Sequence, residues 1–259
     1  MTRAGVTLAI SILLGLTSPL AASAQGPRGG GPPATPRAAA PVDLTGNWVS
    51  VVSEDWRLRM LTPAKGDYTN IPVNDEARRV GDTWDPAKDE AAGEQCKGYA
   101  APAIMREPGR VRITWQDDNT LKIETDSGQQ TRLFNFGGRA PEGAAPAWQG
   151  YSSARWEQPT RNVAGAAGRG GGGGSTRTLE VVTTRIRPGY LRKNGIPFGA
   201  NATVTEYYDM FKNPDGSDWF TVTTVVQDPQ YLLTPWVTST DFKKESDGSK
   251  FKPTPCKAR

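Results

Sequence analysis

The sequence predicts an all-β protein: an antiparallel up-and-down β-barrel of about eight to nine strands, with a short helical excursion after the first strand. Three observations predict it. Apolar and polar side chains alternate with a period of two through most of the chain. Turn sequences rich in Asp, Asn and Gly separate the alternating segments. Helix signals are confined to one stretch between Asn74 and Gln95. A sheet of this many strands tends to curl and close, which removes its exposed edges.

The first strand is expected at Asn47 to Ser53. In the excursion that follows, Asn74 can cap Asp75 to Val80, and Asp85-Pro86 is a good start for a helix running to about Gln95. Next, Val111, Ile113 and Trp115 alternate with Arg110, Arg112 and Thr114, and Leu121 and Ile123 alternate with Lys122 and Glu124. Such alternation gives one buried and one wet face. Asp117-Asp118-Asn119 and Asp126-Ser127-Gly128 are turns, so three strands form a meander ending near Phe136. Further strands are expected at Trp148 to Glu157, Thr178 to Ile186, Ala202 to Phe211, Trp219 to Gln227 and Trp236 to Lys243. Asn213-Pro214-Asp215-Gly216 makes a hairpin turn, Asn194-Gly195 another turn, and Asp228 a turn after the strand ending at Gln227.

The N-terminus reads as an export signal spanning residues 1–24. Arg3 supplies the positive start, Val6 to Leu16 is apolar, and Ala22-Ser23-Ala24 offers a small-x-small cleavage pattern. The apolar run is shorter than the roughly 20 residues that span a bilayer. Residues 25–42 are Gly-, Pro- and Ala-rich and are expected to be a disordered leader, leaving residues 43–259 as a single barrel domain. Asn162 to Arg177, with Gly170 to Gly174 in succession, reads as a surface loop between strands. It lacks the Gly-Lys-Ser/Thr ending of a phosphate-binding loop. The expected location is periplasmic or secreted.

Composition excludes several chemistries. The chain has no His, which removes His-based triads, His-ligated metal and the usual proton shuttle near neutral pH. No metal or cofactor is expected. The formal charge of +4 is too mild to argue for a nucleic acid or an anionic membrane surface. Export favours a disulfide between the two cysteines, Cys96 and Cys256, which ties the excursion to the C-terminus.

Two local patterns carry resemblances. Asp43-Leu44-Thr45-Gly46-Asn47-Trp48 resembles the Gly-x-Trp entry of lipocalin-type barrels. That resemblance implies a barrel whose Trp48 plugs the closed end, with a basic partner from the last strand, for which Lys243 is the candidate. The chain departs from the family in the length of its excursion. The block from Thr183-Thr184-Arg185 through Pro188-Gly189-Tyr190-Leu191-Arg192-Lys193-Asn194-Gly195 to Thr205-Glu206-Tyr207 resembles a stretch of secreted bacterial proteins without an assigned activity. It supports export and transfers no function.

The same block holds the candidate chemistry. Arg185 shares a face with Val181 and Thr183, and Glu206 shares a face with Val204 and Tyr208, so both would enter the barrel if those faces point inward. A carboxylate there has the surroundings that suit acid–base work, with Arg185 steadying negative charge. The alternative is a structural ion pair or an outward pair on the wet face. Ile113, Trp115, Val181, Tyr208 and Tyr190 are expected to line an apolar cavity, with Arg192 at its mouth to steer an anionic group. Packing and solvation are the plain alternatives for these residues. The expected function is binding or carrying a small apolar or aromatic molecule. A cofactor-independent isomerase, cyclase or hydrolase using Glu206 is the second reading, and a cell-envelope interaction module is the third.

Overall fold

Strands form wherever the chain alternates, because each strand buries one face of a shared core. The computed structural model describes Met1, residues 34–157 and residues 178–259. The segment read as an export signal, the first part of the Gly/Pro/Ala tract and the glycine run before Thr178 lie outside the described residues. The strands are β1 (Gly46–Val51), β2 (Arg110–Asp117), β3 (Thr120–Thr125), β4 (Thr131–Phe136), β5 (Tyr151–Trp156), β6 (Thr178–Thr184), β7 (Gly189–Arg192), β8 (Ile196–Phe198), β9 (Thr203–Lys212), β10 (Asp218–Gln227) and β11 (Trp236–Glu245). Nine of them close into a barrel in the order β1-β11-β10-β9-β6-β5-β4-β3-β2, while β7 and β8 form a separate hairpin. The all-β barrel read from the alternation is therefore the fold. One neighbouring pair departs from a strict up-and-down plan. β5 runs parallel to β4, because the connection from Gly137 to Gly150 returns the chain to the end where β4 began.

The register sends Ile113, Leu121, Ile123, Phe134, Val181, Tyr208, Phe220 and Phe242 inward, each at most 1 % exposed. Trp48 is also fully buried and donates through its indole N–H to the Leu44 carbonyl at 2.9 Å. The cation over its ring is Lys244, at 5.1 Å, rather than the expected Lys243. Lys244 is the register partner of Trp48, and a strand's neighbouring residues face opposite sides. Lys243 accordingly points outward over Trp219 at 5.6 Å.

The chain upstream of β1 touches the barrel at two points. The Trp156 indole donates to the Pro36 carbonyl at 3.0 Å, and the Arg37 amide donates to the Asp118 carbonyl at 3.1 Å. This segment lies beside the end of the barrel that carries the β2–β3 turn.

The opposite end carries a cap made of α1 (Trp56–Met60), α2 (Asp75–Gly81), α3 (Pro86–Ala91), a 3-10 turn (Gln95–Tyr99), α4 (Ala101–Ile104) and the β7–β8 hairpin. Asn74 caps α2 by accepting from the Ala77 amide at 2.9 Å. Asp85 caps α3 by accepting from the Ala87 amide at 3.1 Å, with Pro86 at its first position. Every residue of α4 is buried, and Ile104 and Met105 join the same apolar cluster as Ile113 and Phe220. Neither α4 nor α1 carries a periodic signal, each being a turn or so long. Cys96 and Cys256 form the disulfide, and Thr254 bridges beside it to the β3–β4 turn at Ser127.

Candidate functional site

Glu206 points into the barrel, as the alternation along β9 implies, and its side chain is 0 % exposed. Its partner is Arg132 of β4. Arg132 donates to both carboxylate oxygens, Nη1 to Oε1 at 2.8 Å and Nη2 to Oε2 at 2.6 Å. Nη2 also donates to the Thr183 hydroxyl at 3.3 Å, that hydroxyl shares a hydrogen bond with Ser152 at 2.7 Å, and the Tyr208 hydroxyl donates to Glu206 at 3.4 Å. Burial works against the Arg132 charge, but the Glu206 carboxylate outweighs it and holds the guanidinium above its ordinary range. Burial, followed by the same carboxylate, pushes the Tyr208 hydroxyl well above its usual value. The arrangement is a two-pronged buried ion pair whose anion is already fully engaged.

Arg185 does not take part. β6 ends at Thr184, Arg185 turns the chain with a left-handed φ of 54°, and its guanidinium donates to the Ala144 carbonyl at 3.1 Å. The alternation that grouped Arg185 with Val181 and Thr183 stops one residue before it. Arg132 had a legible signal: it alternates with Phe134 and Phe136, an isolated charge on an apolar face.

The residues expected to line a cavity are largely packed on one another. Ile113, Val181 and Tyr208 are all 0 % exposed. Tyr208 meets Phe134 at 5.5 Å and Phe220 at 6.0 Å, and Phe220 stacks on Phe242 at 4.8 Å and meets Trp48 edge-on at 4.7 Å. Trp115 is half-buried near the base, 5.5 Å from Phe136, which continues to Trp156 at 5.6 Å. Aromatic pairs at such distances are core packing.

Open clefts lie outside the lumen: one of about 410 Å³ at the base beside Trp115, one of about 480 Å³ on the barrel flank beside Leu133 and Trp148, and others in the cap. One cleft in the cap, of about 390 Å³, is lined by Asp55, Trp56, Arg57, Leu58, Asp67, Thr69 and Asn70. A second, of about 210 Å³, is lined by Leu58, Arg59, Met60, Glu107, Arg192 and Lys193, so Leu58 is common to both. Trp56, Met60 and Leu61 remain more than half exposed, which puts a run of apolar surface beside the two clefts.

Behind this apolar run sit three guanidinium groups. Arg59, Arg106 and Arg192 are 9 %, 8 % and 7 % exposed. Arg59 donates through Nε to the Arg106 carbonyl at 3.0 Å and pairs with Glu54 at 3.1 Å. Arg106 pairs with Asp55 at 3.1 Å and lies over the Trp236 ring at 5.2 Å. Asp55 in turn accepts from the Asn70 side chain at 2.8 Å, which joins this wall to the loop that carries Thr69. Arg192, expected at a wet mouth, is instead buried. Its guanidinium donates to the carbonyls of Thr69 at 2.8 Å and Asp67 at 3.5 Å. Burial, and next the charge of Arg106, lowers the pKa of Arg192 to about 10. The same two causes, in the same order, lower that of Arg59. Tyr190 donates to Asp89 at 2.8 Å, and burial followed by that carboxylate raises its pKa, so it serves to fix the hairpin to α3.

Comparison of the chain with protein-family models and with curated proteins finds no match.

Proposed function

We propose that this chain is an exported protein that binds a small apolar or aromatic molecule, and that it does so in the cap rather than in the barrel lumen. The observation that carries this reading is the contrast between the two regions. The lumen is occupied by Trp48, Phe134, Tyr208, Phe220 and Phe242, whereas the cap offers a cleft of about 390 Å³ beside the half-exposed Trp56. Pockets of a few hundred Å³ with an apolar wall and a few polar groups are typical of small-ligand sites. The barrel then serves as a rigid base, and the Cys96–Cys256 disulfide fixes the cap to the C-terminal segment. The disulfide and the export-like N-terminal segment both favour an oxidising compartment. Among the described residues no helix is long and apolar enough to cross a membrane.

The enzymatic reading draws no support from Glu206, whose two oxygens both accept from Arg132 in a sealed interior. Native mass spectrometry of the full chain after export tests the proposal. A small-molecule adduct retained by the wild type and lost from Trp56→Ala supports it. An adduct retained equally by both proteins argues against the cap.

A further inference from the structure

We infer that the cap selects an acid: the molecule it binds carries a single carboxylate, received by the buried arginine cluster, on an apolar or aromatic body that rests on Trp56 and Leu58. The inference deepens the proposed cap site and rests on that reading.

Ion pairing is the first ground. Three guanidinium groups, Arg59, Arg106 and Arg192, meet only two paired carboxylates, Glu54 and Asp55. Lys193 pairs with Glu107, and the Asp67 carboxylate accepts from the Thr69 amide at 3.0 Å while its charge acts on Arg192 without a direct ion pair. The hydrogen bonds of the Arg192 guanidinium run to carbonyls, so among the described residues it has no carboxylate in direct contact. A buried charge without its counter-ion is costly, and an incoming anion relieves that cost.

Unused donors are the second ground. Arg59 Nη2 and Arg106 Nη1 are buried and have no hydrogen-bond partner among the described residues. Arg59 and Arg192 line the smaller cleft. Guanidinium groups match the planar fork of a carboxylate, which can take up donors that lack a partner inside the cluster.

Shape is the third ground. Leu58 is shared by the cleft holding Arg59 and Arg192 and the cleft holding Trp56, so a ligand spanning both has its acid at one end and its apolar body at the other.

The test uses the full exported chain and three probes: 2-naphthoate, its neutral counterpart 2-naphthamide, and inorganic sulfate. Binding is read by calorimetry. The expected result is saturable binding of 2-naphthoate, at least tenfold weaker binding of 2-naphthamide, and no saturable binding of sulfate. Arg192→Gln is expected to weaken 2-naphthoate at least tenfold and leave 2-naphthamide unchanged, with Arg192→Lys in between. The comparison of the two naphthyl probes on the wild type needs no variant, so it stands even where Arg192→Gln fails to fold. Equal affinity for both naphthyl probes, each weakened by Trp56→Ala, overturns the acid inference and leaves the cap reading intact. Sulfate binding as tight as 2-naphthoate also overturns it. Absence of binding by either naphthyl probe overturns both.

Discussion

Replacing Arg132 by Met removes one half of a pair whose side chains are both 0 % exposed. Glu206 then loses its two hydrogen bonds of 2.8 and 2.6 Å and keeps only the Tyr208 hydroxyl at 3.4 Å. An uncompensated buried charge of this kind costs about 3–5 kcal/mol. For a domain of this size, where each kcal/mol moves the midpoint by roughly 2–4 °C, thermal unfolding should fall by roughly 6–20 °C. The double variant Arg132→Met/Glu206→Leu removes the stranded charge as well. It leaves Tyr208 without an acceptor while Thr183 keeps Ser152 at 2.7 Å, so about 1–3 kcal/mol of the loss should remain. The double variant should therefore be more stable than Arg132→Met, with a favourable coupling energy of about 2 kcal/mol or more. Urea titration followed by far-ultraviolet circular dichroism, with the disulfide intact, measures wild type, Arg132→Met, Glu206→Leu and the double variant. Arg185→Met serves as the control, because among the described residues its guanidinium meets the Ala144 carbonyl alone, and it should stay within about 1 kcal/mol of wild type. The reasoning fails if Arg132→Met matches wild type, or if the double variant is as unstable as the two single losses added together.

Three other outcomes follow from the same structure. Breaking the Cys96–Cys256 disulfide frees a closed loop of 160 residues, which in the chain-entropy account costs about 5 kcal/mol, and Cys96→Ser should lower the urea midpoint accordingly; an unchanged midpoint contradicts the staple. Trp48→Ala should cost about 3–5 kcal/mol, since the indole is fully buried among Leu44, Phe220 and Lys244, and a loss under about 1 kcal/mol would place Trp48 outside the core. Burial, then the Asp82 carboxylate, raises the Tyr68 hydroxyl to about 12, above the ordinary value of about 10. A raised folded value favours folding fully below pH about 10, and the benefit fades as pH climbs toward 12. The stability gap between wild type and Tyr68→Phe should therefore narrow over that window in alkaline denaturation, and a gap that widens contradicts the assignment.

What the chain disclosed on its own was local. The β2 and β3 strands were legible because Val111 and Ile113, then Leu121 and Ile123, alternate with charged neighbours over a few residues. Asn74 and Asp85 announced their helices because a cap acts on amides two or three positions away. The Arg132–Glu206 pair joins residues 74 apart through four neighbouring strands, and only the closed register brings them together. The choice between Lys243 and Lys244 turned on a single step of register, which reverses the face. Neither α4 nor the arginine cluster could be read ahead. A four-residue helix has no period to detect, and Arg59, Arg106 and Arg192 lie far apart in sequence and are gathered by the cap. At the end of the Gly/Pro/Ala tract, the Pro36 carbonyl offers the Trp156 indole an acceptor, a contact that composition does not record.

The central claim is that guests are received by the cap while the lumen stays filled by its own side chains. The chain has eight Trp, each with one indole N–H signal in a nitrogen-edited NMR spectrum, and two of them mark the rival locations. Trp56 borders the cap cleft, and Trp48 lies in the lumen. On titration with 2-naphthoate the Trp56 indole signal should shift saturably while that of Trp48 stays in place. A saturable shift at Trp48 with Trp56 unmoved would contradict the account.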